Sequence, residues 1–171
     1  YGMVLKPFHG IRLFENLSDD QYEQVWFHTQ QGACGTASAD YDNDGFSDMM
    51  VMNFGNFVLF HNNGDGTFSD MSDVVGIGGE RGKGLGVVPT DYDNDGDMDI
   101  YVANDKVMNL MFINDGAGKF TEDALFSGVG FNENGQAEAG MGVDWGDYNR
   151  DGWLDLFVTN FSGESNPLYM N

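Results

Sequence analysis

The chain has 171 residues, 28 of them Asp or Glu against 7 Lys or Arg, for a formal net charge of −21. That balance excludes nucleic acid and anionic membrane surfaces as default partners, because both require a basic footprint. Hydrophobic residues at 41% suffice for a packed core, no apolar run approaches the roughly 20 residues of a membrane-inserted helix, and the lone Cys34 leaves no internal disulfide or Cys-based zinc cluster.

Residues 1–34 precede any clear repeat and read as the end of a preceding unit or an N-terminal extension. Within them, Ser18 to Gln24 predicts a short helix. The chain opens at Tyr1 without an initiator Met or a signal-like segment, which reads as a mature product or an excised piece. Three segments then align without gaps, Gly35 to Asp48, Gly86 to Asp99 and Gly142 to Asp155, with the first Asp recurring after 51 and then 56 residues. A period near 50 suits β-propeller blades better than most helical-pair repeats. The predicted units are 35–85, 86–141 and an incomplete 142–171.

Each unit predicts four strands: one before the acidic loop, one after it, one ending at Asn62 or its equivalents, and one starting at Phe68 or its equivalent. Runs such as Val58-Leu-Phe60 and Ile100-Tyr-Val102 are β-branched or aromatic, and Asn63-Gly64 and Asp115-Gly116 are strong hairpin turns. The first strand of each unit is rich in Gly and Ala, which suits an inner strand crowded against a central axis. Cys34 aligns with Leu85 and Met141 and reads as a small apolar core residue. The expected fold is all-β: about three blades, each a four-stranded antiparallel sheet, forming a partial ring.

The acidic loops carry the chemistry. Asp-x-Asp-x-Asp-Gly-x-x-Asp sends side chains at loop positions 1, 3 and 5 to one point: Asp40, Asp42 and Asp44; Asp91, Asp93 and Asp95; Asp147, Asn149 and Asp151. Gly at position 6 permits the bend, position 7 offers its carbonyl (Phe46, Asp97, Trp153), and the last Asp closes the cage (Asp48, Asp99, Asp155). An all-oxygen set of this size and charge suits Ca²⁺, so three calcium sites are predicted. An EF-hand requires an acid at position 12, where this chain has Val51, Val102 and Val158. One such cluster alone would be an ordinary turn; three at a fixed register are not. The loops hold twelve of the 28 acids, and three Ca²⁺ would bring the charge from −21 to −15. Metal binding should therefore stabilise the fold. Loop 3 should bind most weakly, since Asn149 replaces a carboxylate and Arg150 adds a positive charge.

Other features point to structure rather than chemistry. His9, His28 and His61 share no metal-site spacing, and the run from Gly76 to Gly86 lacks a P-loop's strand–loop–helix setting and reads as a connection. Asn16 and Asn160 begin Asn-x-Ser sequons. Trp26, Trp145 and Trp153 suit packing between units, with stacking on sugar rings as the alternative.

The pattern Asp-Tyr-Asp-Asn-Asp-Gly-x-x-Asp followed by hydrophobic-x-Val-x-Asn and Leu-Phe-x-Asn-x-Gly-x-Gly-x-Phe resembles the VCBS/FG-GAP repeat over roughly residues 32–171. The stretch Asn134 to Ser162 is especially similar to the cartilage-acidic-protein (ASPIC/UnbV-associated) branch. The resemblance implies a calcium-binding β-propeller like the integrin α-subunit head, of about seven blades, in a secreted or cell-surface protein, with the periplasm as an alternative location. Seven such blades need on the order of 380 residues, so the chain is expected to be completed by the remaining blades of a larger propeller or by copies of itself, as in a filament or array. The expected role is non-catalytic binding, adhesion or assembly, with a protein or glycan as ligand. The alternatives are a lectin-like propeller and a polysaccharide-active enzyme, for which no acid/base pair separate from the calcium loops is evident.

Overall fold

The computed structural model describes residues 11–18, 21–28 and 33–171. Two strands, β1 (Ile11–Ser18) and β2 (Gln21–His28), form an antiparallel hairpin. The short helix expected from Ser18 to Gln24 is thus replaced by the end of β1 and the start of β2. Tyr22, Val25, Trp26 and Phe27 favour a pleated strand, and pairing with β1 supplies backbone bonds that so short a helix could not sustain alone.

Three repeats follow. The first comprises β3 (Ala33–Ala39), β4 (Asp48–Asn56), β5 (Val58–Asn62), β6 (Phe68–Asp70) and the one-turn helix α1 (Ser72–Val75). The second comprises β7 (Arg81–Thr90), β8 (Asp99–Asn104), β9 (Leu110–Asn114) and β10 (Phe120–Glu122). The third has β11 (Gly140–Gly146), β12 (Asp155–Asn160) and β13 (Leu168–Tyr169). Within each repeat, consecutive strands pair antiparallel, as in a propeller blade. The C-terminal end of β4 also pairs with the start of β7, joining blades 1 and 2 in one curled sheet. The run from Gly76 to Gly86 supplies the connection between these blades and the first half of β7.

The alternation of side chains along a strand gives the central strands β4 and β8 two buried faces. One core lies between blades 1 and 2, where Met50, Met52 and Leu59 meet Ile100, Val102, Leu110 and Phe112. The next lies between blades 2 and 3, where Tyr101, Ala103 and Met111 meet Leu156 and Val158. Trp145 packs there against Tyr92 and Tyr101, with ring centroids 5.8 and 6.2 Å apart. The positions equivalent to Tyr101 and Met111 in blade 3 are Phe157 and Leu168, which are 43% and 38% exposed. Blade 3 therefore shows solvent the face that blades 1 and 2 bury against their successors.

Each inner strand carries a bulge at the same place. Register slips between Ala33 and Gly35, Gly84 and Gly86, and Gly140 and Gly142, at Cys34, Leu85 and Met141. Cys34 is exposed rather than in the core, because a bulged residue leaves the inward–outward alternation of its strand. The bulges stack on one another: a Cβ on Gly86 would lie 2.8 Å from the Met141 carbonyl oxygen, and one on Gly35 3.3 Å from that of Leu85. Glycine after the bulge lets successive inner strands approach, so the composition of these strands reflects crowding between blades.

Candidate metal centre

The loop joining the first two strands of each blade is built by its own carboxylates. Asp40 accepts from the N–H groups of Asp44 and Gly45 at 3.1 and 2.9 Å, and Asp147 from those of Asp151 and Gly152, both at 3.1 Å. Asp91 accepts from Gly96 at 3.1 Å. Position 5 caps position 7: Asp44 with Phe46, Asp95 with Asp97, and Asp151 with Trp153. The bend requires positive φ at position 6, met by Gly45, Gly96 and Gly152, and also at position 4. There, loops 1 and 2 place Asn43 and Asn94 at φ 58°, whereas loop 3 places Arg150 at φ 64°. Asn tolerates the left-handed region, but a long side chain adopts it at a cost of roughly 1–2 kcal/mol. Arg150 thus strains the backbone as well as adding charge, a second handicap for loop 3.

The closing Asp is buried in every loop. Asp48 accepts from the N–H of Tyr41 at 3.1 Å and of Asn62 at 2.8 Å; Asp99 accepts from Tyr92 at 2.9 Å and Asn114 at 2.8 Å; Asp155 accepts from Tyr148 at 2.9 Å and Asn171 at 3.1 Å. Both oxygens of each carboxylate are held by the sheet, which fixes its position and leaves lone pairs for a further ligand.

Carboxylate oxygens converge in two of the three loops. Those of Asp40, Asp42 and Asp44 lie within 4.8 Å of one another, as do those of Asp91, Asp93 and Asp99. Among the described residues, loop 3 forms no such group; there, Asn149 turns its amide onto Asp151 at 2.7 Å and occupies an acceptor. Asp97 directs its side chain outward, accepting from Asn43 of loop 1 at 2.8 Å, so the first two loops touch. Phe46 lies over Gly64 of the following hairpin, and Trp153 is 42% exposed.

The donors suit a cation. Oδ1 of Asp91 is buried with no hydrogen-bond partner, a costly state for an ionised oxygen. Burial, with the nearby Asp93 and Asp95, pushes Asp99 up to about 6, and burial and Asp95 likewise raise Asp93. Asp48 is raised by burial and by Asp42. Tyr41 is pushed up to about 12 by burial and by Asp42, Asp48 and Asp44. Concentrated negative charge disfavours further ionisation around both loops, and a divalent ion would relieve it.

One contributor escapes the spacing argument. His61 Nδ1 is 3.2 Å from both Asp42 and Asp48, and Nε2 is 3.8 Å from Asp44. The signal lay in strand register: Met49 pairs with Phe60, so the next residue along β5 falls beside Asp48. His9 lies outside the described residues. Asn160 donates its amide to Glu138 at 2.8 Å and to the Ser165 carbonyl at 2.6 Å, so this sequon Asn is engaged within its blade.

Among the described residues, no helix is long and apolar enough to cross a membrane. No curated protein matches the chain significantly. The FG-GAP-like repeat matches twice, over residues 40–102 and 91–158, and each match runs from one acidic loop through the central strand of the next blade. Residues, loops and blades coincide with the repeat over most of the sequence, and the chain belongs to the FG-GAP-like repeat family.

Proposed function

We propose that this chain is a calcium-stabilised segment of an extracellular β-propeller of the cartilage-acidic-protein type, serving in binding or assembly without catalysis. The observation that carries this reading is the convergence of Asp91, Asp93 and Asp99 around a buried carboxylate oxygen that has no donor. Oxygen-only donors favour Ca²⁺ over Mg²⁺, which demands a tighter octahedron and keeps its waters. Loops 1 and 2 take ions more tightly than loop 3, where fewer carboxylates, an engaged Asp151 and a strained Arg150 all oppose binding. Millimolar calcium outside the cell fills loops of this kind, which supports a secreted or surface location.

The exposed face of blade 3, with Phe157 and Leu168, receives a further blade, either from a longer chain or from another copy. The acidic residues with fixed register are assigned to metal and backbone binding, so no acid/base pair is assigned. The test is metal analysis of the native protein combined with thermal unfolding before and after chelation. Bound calcium and a fall in melting temperature on chelation are expected; a metal-free chain with an unchanged melting temperature would refute the reading.

A further inference from the structure

We propose that His61 is a metal ligand and that loop 1, unlike loop 2, is a mixed nitrogen–oxygen site that accepts a borderline divalent ion such as Zn²⁺. The inference rests on the reading of loop 1 as a metal cage and adds a donor outside the Asp repeat. Nδ1 of His61 stands 3.2 Å from Asp42 Oδ2 and 3.2 Å from Asp48 Oδ1, and the three atoms fall within the 4.8 Å spread of a metal's ligand shell. That nitrogen is buried and has no hydrogen bond, so the two close approaches lack hydrogen-bonding geometry. It faces the carboxylates without being satisfied by them.

The ring also has an aromatic neighbour. Tyr41 packs edge-on to it, with centroids 6.3 Å apart and planes at 83°. Asp48 is itself fixed by the N–H groups of Tyr41 and Asn62. Asp42 belongs both to this trio and to the cluster with Asp40 and Asp44, so the nitrogen donor and the oxygen donors share a carboxylate. Blade 2 has Ile113 at the corresponding position and blade 3 has Met170, so the nitrogen donor is confined to loop 1 among the aligned repeats. Imidazole raises preference for Zn²⁺ and its neighbours, whereas an oxygen-only cage favours calcium. Loop 1 thereby accepts, besides calcium, an ion that loop 2 discriminates against.

The experiment uses the full chain, its His61→Ile variant, which adopts the residue blade 2 already carries, and His61→Gln, which preserves a polar side chain. Each is saturated with Ca²⁺, titrated with Zn²⁺, freed of excess ion by gel filtration and analysed for metal. In the wild type, Zn²⁺ displaces one calcium per chain; in either variant that displacement requires at least roughly tenfold more Zn²⁺, the loss that even outer-shell changes bring. Co²⁺ substitution of the wild type gives a paramagnetically shifted imidazole resonance that disappears in the variants, an observation that needs only one variant to fold. Calcium bound in loop 1 with equal Zn²⁺ displacement in all three proteins, or with no His61-dependent resonance, overturns this proposal and leaves the calcium reading standing. No divalent ion bound to any loop overturns both.

Discussion

The side-chain amide of Asn114 donates to the backbone carbonyl of Tyr41 at 2.8 Å across 73 residues of sequence, tying the end of the third strand in blade 2 to the acidic loop of blade 1. The same amide reaches Met98 at 3.2 Å, while its backbone N–H holds Asp99 at 2.8 Å. One residue thus braces two loops. Asn171 repeats the device, donating to Tyr92 at 2.9 Å and to Asp155 at 3.1 Å. Asn62 differs, since among the described residues its side-chain amide bonds only Ser47 of its own loop. Asn114→Ala strands two carbonyls at a buried site and should cost about 2 kcal/mol in urea unfolding. It should also weaken calcium binding at both loops 1 and 2 in calorimetric titration. Asn62→Ala should cost less and affect loop 1 alone. Equal effects of the two substitutions would refute the bracing role.

Asp91→Asn should change sign with calcium. In the metal-free protein the substitution removes a negative charge whose buried oxygen lacks a donor, beside Asp93 and Asp99. Repulsion between such charges amounts to about 4 kcal/mol at 4 Å near a protein surface, much of it shed by relaxation. Melting temperature should therefore rise or hold steady after chelation and fall below wild type in excess calcium. Asp147→Asn in loop 3 should produce the smallest loss of calcium-dependent stability among the three equivalent substitutions. A calcium-loaded Asp91→Asn chain as stable as the wild type would sink the loop-2 assignment.

The blades and loops were legible because they repeat: Asp at fixed spacing, a Gly bend and a β-branched central strand recur three times, and each copy corroborates the others. The β1–β2 hairpin was not, because it lies outside the repeat and the local pattern around Ser18 also resembles a helix start. The place of His61 beside Asp48 was not legible, because it depends on cross-strand pairing, not on linear spacing. Cys34 was misplaced because alignment with Leu85 and Met141 identified the position but not the bulge that turns it outward. Arg150 shows in the sequence as a charge alone, since only backbone angles reveal its left-handed conformation.

The acidic loops also set the direction of pH dependence in the metal-free chain. Asp99 is raised to about 6 by burial, and Asp48 and Asp93 are raised as well. A carboxyl with a raised native pKa binds more protons folded than unfolded between its two pKa values, so stability falls as pH rises through that interval. For Asp99 the interval runs from about 4, the unfolded carboxyl value, to about 6. After chelation these groups should make the chain melt higher at pH 5 than at pH 7. Calcium binds the ionised form, so the gain in melting temperature on adding calcium should be larger at pH 7. Thermal scans at the two pH values, with and without calcium, test both signs; a gain no larger at pH 7 would contradict the assignment.

The exposed face of blade 3 gives the remaining test, through the equivalent residues Tyr101 and Phe157. Tyr101 is fully buried between blades 2 and 3, and its hydroxyl donates to the Val129 carbonyl at 3.0 Å, whereas Phe157 is 43% exposed. The gradient extends to the loop tyrosines: Tyr41 is buried by blade 2, while Tyr148 is 75% exposed. Tyr101→Ala should cost about 3–5 kcal/mol, the usual range for loss of a large buried ring. Phe157→Asp should change the stability of the isolated chain by no more than about 0.5 kcal/mol, because no core is lost. Its effect should fall on association instead. Sedimentation velocity should show concentration-dependent self-association of the wild-type chain, at least tenfold weaker in Phe157→Asp, since an added charge must be desolvated when this face is covered. If Phe157→Asp unfolds the chain as Tyr101→Ala does, the face is already part of a core; if both proteins stay monodisperse across the concentration range, a second copy does not cover it.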